Sequence, residues 1–302
     1  MIESLATSTA HLPRMVAVSG SEFRFVTAHL LRRLVVEASA PGRIPEIIEL
    51  AEGRSLPASC DCLVEAGEMR PADTGVPGVR QDLGDGNDSL DWSWSVDRPV
   101  WRGAYIRHGL LVAADCGRAH VLGPVRSLRI PGSRHVEAVL PAVAAALSWG
   151  LDPRSLRESL FSWTGPEHLL QWRGEAGGVT LFDDAATCTA DGLDRALDAF
   201  DQKVTLVTGG SGFHAGFELL DKIRSRTSRV VLLPGTPEWV ATTWGRLADA
   251  VTCLDLADAA LEARERTLAG GQVLFCPGCL PRTGEPGLIQ RGVVFAREFL
   301  GE

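Results

Sequence analysis

MVAVSGSEFRFVTAHLLRRL, residues 15–34, is the stretch on which the reading of this chain turns. A short apolar run, Val16-Ala17-Val18, leads through Ser19-Gly20-Ser21 into an amphipathic helical pattern from Thr27 onward. That is the strand–loop–helix layout of a phosphate-binding loop. Such a loop uses glycines so that backbone N–H groups can wrap the phosphates, a lysine for the terminal phosphates and a following Ser or Thr hydroxyl for Mg²⁺. Here Glu22, Phe23, Arg24, Phe25 and Val26 stand at those places. Phe23 fills the space a glycine leaves open, Phe25 offers no hydroxyl to a metal, and Glu22 sets a negative charge where phosphate would sit. The stretch reads as a degenerate P-loop whose remnants are Gly20, Ser21 and Arg24.

Composition bounds what the rest can be. The 302 residues, 45% hydrophobic and 23% charged, can bury one large or two ordinary cores. A net charge of −8 argues against a nucleic-acid partner. No apolar run is long enough to span a bilayer, and the first residues lack the basic start and apolar core of a secretory signal, so no membrane association and a cytoplasmic location are expected. Seven cysteines at irregular spacing fit reduced thiols better than a disulfide framework. Abundant Ala, Arg and Gly suggest a bacterial source.

Residues 1–13 read as a loose leader. Periodicity predicts a strand at 15–18, helices over 26–38 and 44–52, and a strand over 62–65. Residues 70–98, rich in Gly, Pro and Asp, read as one long loop. Short β runs over 99–130 suggest a small antiparallel sheet. An Ala-rich helix follows over 136–149, and Asp152-Pro153 opens another with an N-cap and a proline at its first position. From about residue 174 the pattern becomes strand–helix alternation. Strands are expected at 178–183, 203–208, 229–233, 250–254 and 272–275, with helices over 189–200, 216–226, 237–248, 257–268 and 288–299. Apolar strands separated by helices argue a parallel, doubly wound sheet.

Several motifs then fall in order along the chain. Arg129-Ile130-Pro131-Gly132-Ser133-Arg134-His135 precedes the Ala-rich helix. Thr164-Gly165-Pro166-Glu167-His168-Leu169-Leu170 forms a turn, and Phe182-Asp183-Asp184-Ala185-Ala186-Thr187 ends a strand. Gly209-Gly210-Ser211-Gly212-Phe213-His214 follows the next one. Cys276-Pro277-Gly278-Cys279 and Gln290-Arg291-Gly292-Val293-Val294-Phe295 close the series. Together they resemble the Mur ligases, nearest to the branch that adds D-glutamate. The resemblance implies an α/β fold: a shortened, P-loop-like central domain over 14–173 and a Rossmann-like C-terminal domain over 174–302. With about 14 residues ahead of the loop, the UDP-binding domain of that family is expected to be absent.

Mur ligases make an acyl-phosphate from a carboxylate and ATP, and an amino acid's amine then attacks it. That chemistry needs cations on the transferring phosphoryl group. The resemblance implies losses at six motif sites, eight residues in all. Arg24 stands for the P-loop lysine. Arg134, His135 and Ala138 stand for His, Asn and a later Asn that contact nucleotide. Leu169 stands for an arginine and Ala185 for a lysine. Phe213 stands for the lysine that meets the amino-acid carboxylate, and Pro281 for a serine. Asp184 and Cys276 each occupy a position where the pattern has serine. A charge clamp replaced by Phe and Leu leaves nothing to offset the desolvation of an anion.

The surviving catalytic candidates are Asp183, Thr187, His168, His214 and Cys276, with Glu65 as a metal candidate. Plainer readings stand beside them. His168 is also a turn histidine, His135 a cap or solvent-facing residue, and Asp183, Asp184 and Thr187 a cap-and-loop hydrogen-bond set. His214, with Ser211 and Phe213, could line a pocket at the carboxyl end of the sheet. Trp92 and Trp94 suit a core edge or a partner contact. Cys276-x-x-Cys279 invites a redox reading, or with Cys60 and Cys62 a zinc reading, against structural thiols. The expectation is a Mur-ligase-like pseudoenzyme with no cofactor, binding a protein partner or small-molecule ligand, as a homodimer in one arrangement. The alternatives are a divergent ligase using ATP and Mg²⁺ on a non-UDP substrate, and an enzyme of new, ATP-independent chemistry around Cys276, His214 and Asp183.

Overall fold

The computed structural model of the chain describes residues 15–20, 24–38, 46–49, 62–66, 78–81, 92–214, 219–246 and 249–302. Ser21, Glu22, Phe23, Cys60 and the leader lie outside these. The chain divides into two compact units, residues 1–129 with 134–163, and residues 130–133 with 164–302. The division falls at Thr164, ahead of the residue-174 boundary.

Among the described residues the first unit holds eight strands: β1 (Met15–Gly20), β2 (Glu46–Glu49), β3 (Cys62–Ala66), β4 (Gly78–Gln81), β5 (Trp92–Ser95), β6 (Gly103–Arg107), β7 (Leu110–Asp115) and β8 (Arg118–Pro124). They form one sheet in the order β2-β1-β3-β4-β5-β6-β7-β8. β1 pairs parallel with β2 and β3, and β5 with β6; the other neighbours are antiparallel. Three helices accompany it, α1 (Arg24–Ala38), α2 (Val136–Ser148) and α3 (Pro153–Ser162). α2 is buried over nearly its whole length and packs on α1 and on strands β3 to β7. The Thr27 hydroxyl donates to the Ala138 carbonyl at 3.0 Å, joining α1 to α2. Asp152 caps α3, accepting from the Arg154 N–H at 2.6 Å, as the sequence predicts.

Two expectations fail here. Within the helix expected over 44–52, the described residues Glu46–Glu49 form the strand β2, which pairs with β1 from Met15↔Glu46 to Val18↔Glu49. Two adjacent isoleucines suit a pleated, half-buried surface, and Ile47 is buried there. The long loop over 70–98 contains β4 and β5, and Trp94 is fully buried. The antiparallel strands over 99–130 exist, but they continue the larger sheet through the β5–β6 pair.

The second unit holds β9 (Gln171–Ala176), β10 (Val179–Asp183), β11 (Val204–Gly209), β12 (Thr227–Leu233), β13 (Ala250–Thr252) and β14 (Gln272–Phe275). Their order is β13-β12-β11-β14-β10-β9, parallel except for the antiparallel edge strand β9, which the sequence reading missed. Helices α4 (Ala190–Asp198), α5 (Leu220–Arg226) and α6 (Glu238–Gly245) cover one face; α7 (Leu256–Arg266) and α8 (Leu288–Leu300) cover the other. Strand alternation divides the core cleanly. Leu206, Val230, Leu232 and Leu274 pack with Leu193, Ile223 and Trp244. Val207, Val231, Leu233, Val273 and Phe275 pack with Ala259, Phe295 and Phe299. This is the predicted doubly wound sheet. No described helix is long and apolar enough to cross a membrane.

Candidate functional site

In an open parallel sheet, ligands sit beyond the carboxyl ends of the strands. In the second unit that edge carries the ends of β10, β11 and β14 and the turn 164–170. Asp183 is the last residue of β10 and is buried. Its Oδ1 accepts from the Ala185 N–H at 3.0 Å. Its Oδ2 lies 2.7 Å from His168 Nδ1 and 3.7 Å from Arg173 Nη1. Burial raises the Asp183 carboxyl above its ordinary value, while the neighbouring His168, the Ala185 N–H and Arg173 pull the other way.

The turn that delivers His168 is strained. His168 and Leu170 have φ of +56° and +49°, left-handed values that cost non-glycine residues energy. Side chains hold them there. The His168 N–H donates to Gln171 Oε1 at 3.1 Å, the Leu170 N–H to Asp184 Oδ1 at 3.0 Å, and the Ala186 N–H to the His168 carbonyl at 3.1 Å. Two consecutive aspartates therefore clamp one turn from below. Gly292 of α8 closes the other side: a Cβ there would stand 2.6 Å from His168 Nδ1 and 2.7 Å from Asp183 Oδ2.

Asp184 is 2% exposed, and burial pushes its carboxyl up to about 7 against the pull of Thr187, Cys276 and the Leu170 N–H. The Cys276 thiol beside it is wholly buried and pushed well above its ordinary value by that burial and by the Asp184 charge. The sequence candidates Asp183, His168, Thr187 and Cys276 thus come together in one nest. His214 is exposed and has no described contact with it. Glu65 lies on β3 of the other unit, Gly20 ends β1 and Arg24 begins α1. Among the described residues no group of His, Cys, Asp and Glu is placed to hold a metal ion.

Two positions that the resemblance matches to lysines, 213 and 185, lie in the core. Phe213 is fully buried and meets the Trp244 ring edge-on, at 5.4 Å and 90°. Ala185 is fully buried among Val207, Phe275 and Phe295. His135, read as a cap or solvent-facing residue, is buried and makes no side-chain cap bond to α2. The chain has two lysines, Lys203 and Lys222. Lys203 donates to the Arg224 carbonyl at 3.0 Å, and Lys222 pairs with Asp198 at 2.6 Å and Asp194 at 3.4 Å. Neither lysine has a described contact with the nest, which itself carries two carboxyls.

Sequence reasoning missed Arg173 and Gln171 because the edge strand that carries them, Gln-Trp-Arg-Gly-Glu-Ala, has little apolar alternation. It also missed why Gly292 is glycine. The Arg291-Gly292 pair had been singled out, but only the approach of α8 to the His168–Asp183 pair explains it.

No family model matches the chain. Among curated proteins it is 27% identical over 187 residues to the UDP-N-acetylmuramoylalanine–D-glutamate ligase of Syntrophus aciditrophicus, covering 62% of this chain and 41% of that one. The corresponding ligase of Aquifex aeolicus is 32% identical over 156 residues, 51% of this chain and 38% of that one. The chain therefore spans less than half the length of these relatives. Among solved structures, a UDP-N-acetylmuramoyl-L-alanyl-D-glutamate–2,6-diaminopimelate ligase superposes with a TM-score of 0.60 at 14% identity, covering 97% of this chain and 79% of that one. The UDP-N-acetylmuramate-alanine ligase of Thermotoga maritima gives 0.52 at 13%, covering 95% and 76%. Sequence kinship to the D-glutamate ligases, and a fold shared across nearly the whole chain, make this protein a relative of the Mur ligases, with the α/β folds of their central and C-terminal domains.

Proposed function

We propose that this chain keeps the Mur ligase fold without its acyl-phosphate chemistry and serves as a module that binds a small molecule or a protein partner. The observation that carries this reading is Phe213. At the position matched to the amino-acid-binding lysine, a phenyl ring lies fully buried against Trp244, inside the core rather than facing a ligand. The two lysines held elsewhere by a carbonyl and by aspartates support it. Phosphoryl transfer without a cation on the phosphates forgoes the main source of transition-state stabilisation. The test is calorimetric titration of the whole chain with Mg²⁺-ATP, together with an assay for ATP-dependent amide formation. No saturable heat and no ADP release are expected; amide formation by the pure chain overturns the reading.

One observation favours a second reading, a divergent ATP-dependent amide ligase acting on a substrate other than a UDP-sugar. The His168–Asp183 pair, with Thr187 close to the adjoining Asp184, is intact and rigidly held. On this reading ATP and Mg²⁺ are cofactors, and Asp183→Ala abolishes turnover while the fold persists. Absence of any nucleotide binding eliminates it.

A further inference from the structure

We propose that the open edge of the first unit's sheet, strand β8, takes up an extended acidic segment of a partner protein as an added strand, with Arg118 and Arg126 meeting carboxylates and Trp101 and Val121 meeting apolar side chains. This rests on the partner-binding reading above and supplies its surface and its chemistry. β8 closes the eight-stranded order, and among the described residues no strand pairs with its outer side. The backbone N–H and C=O groups on that side are a template for one more strand. Arg118, Ala119, His120 and Val121 are exposed in succession. Side chains alternate along a strand, so both faces of this stretch are open as well as its edge.

Two apolar side chains stand out along this edge. Val121 is the cross-strand neighbour of Val112, which belongs to a small buried cluster with Tyr105 and Ala114, yet Val121 is 55% exposed. Trp101 is 71% exposed and is held at the tip of the β7–β8 hairpin. Its carbonyl accepts from the Gly117 N–H at 3.1 Å, and a Cβ on Gly117 would stand 2.8 Å from its ring. The hairpin thus backs the indole, and a ring already held in place loses little freedom when a partner covers it.

Charge selects the occupant. Residues 98–129 carry six arginines and a single acid, Asp115, in a chain whose net charge is −8. Asp115 lies 3.6 Å from Arg102. Arg107, Arg118 and Arg126 are exposed and enter no ion pair among the described residues. Arg118 opens β8, and Arg126 lies just past its last residue, Pro124. Arg107 pairs with Leu110, and Leu110 with Pro124, so Arg107 stands at the same end as Arg126. The cations therefore bracket a strand of roughly 20 Å. Proteins commonly blunt an open edge with charge. Here the charge has one sign: a second copy presenting the same edge meets like charges, whereas an acidic strand meets opposite ones. A polynucleotide would use the cations but not the open backbone edge.

The test titrates the full chain into a fluorescent, end-blocked peptide of about ten alternating Glu and Val residues, read by polarisation, while hydrogen exchange is followed across β8. The expected result is saturable binding that weakens as salt rises, with slowed exchange over β8. Arg118→Glu combined with Arg126→Glu should weaken binding at least about tenfold, and Trp101→Ala at least about fivefold, with circular dichroism unchanged. A Lys–Val peptide of the same length should not bind. The proposal is overturned by absence of binding, by binding without protection of β8, or by tighter binding of a thymidine oligonucleotide of equal charge. Protection of β8 that grows with the concentration of the chain alone also overturns it, since the occupant is then a second copy. The peptide is measured without nucleotide. Loss of peptide binding with no ADP release therefore removes this surface and keeps the reading above, whereas amide formation removes that reading whatever the peptide does.

Discussion

At the scale of single residues, Asp183 and Asp184 are adjacent in sequence yet answer to different forces. Asp183 has an imidazole and two further donors around it; Asp184 has burial and the Asp183 charge against it, and neutral groups on its other side. A carboxyl whose folded value is raised to about 7, from 3.8, keeps its proton after the unfolded chain has lost it. The stability this supplies is complete below about pH 4 and is lost as the pH climbs toward 7, a swing on the order of 4 kcal/mol. Asp184→Asn keeps an acceptor for the Leu170 N–H and cannot ionise. It should therefore raise the stability at pH 8 by more than about 1 kcal/mol and change it little at pH 4, as read from urea unfolding at the two pH values. A variant equally stable at both would show that Asp184 ionises freely in the folded chain. Gly292→Ala makes the complementary prediction. Its methyl group would press on the buried His168–Asp183 pair, and a loss of about 1–3 kcal/mol is expected in the same unfolding measurement.

At the scale of elements, the second unit was largely legible and the first was not, for a physical reason. Strands such as β11 and β12 are buried on both faces and read as continuous apolar runs that no helix pattern imitates. β2, β4 and β5 are four residues each, and their pairing depends on neighbours distant in sequence. Nothing local distinguishes Trp92–Ser95 from the loop around it; pairing with Gly103–Tyr105 makes it a strand. That pairing has a specific weak point. Gly103 sits at φ +125°, and a Cβ there would fall 1.7 Å from the Ser93 carbonyl oxygen. Gly103→Ala should pry β5 from β6, lowering stability by roughly 2–4 kcal/mol and speeding hydrogen exchange at Trp94 and Ser95. Unchanged exchange there would mean that β5 is held by α2 rather than by its ladder. The candidate site followed the same rule: Asp183 was visible because it ends a well-marked strand, and His168 and Thr187 because they fall in the motifs flanking it, whereas Arg173 was hidden on an edge strand with a polar pattern.

At the scale of the whole molecule, the fold of solved Mur ligases recurs, while two positions that the resemblance matches to lysines, 185 and 213, hold buried apolar side chains. Phe213 and Ala185 each add apolar contact where the resembled pattern has a charge. Such side chains add to the core and present no charge to an anion. Restoring the charge should accordingly fail: Phe213→Lys would bury an ammonium beside Trp244, and a loss of about 3 kcal/mol or more is expected in thermal unfolding, with no gain in nucleotide binding. A stable variant that acquires amide-forming activity would instead point to a loop able to refold around a ligand.

The scarcity of lysine also has a practical side. Both lysine side chains belong to the C-terminal unit, and Lys222 is held between two aspartates. Esters that acylate side-chain amines, whether carried by a dye, a cross-linker or a sensor surface, have no lysine to find on the N-terminal unit. Attachment through lysine would therefore anchor the molecule by its C-terminal unit alone.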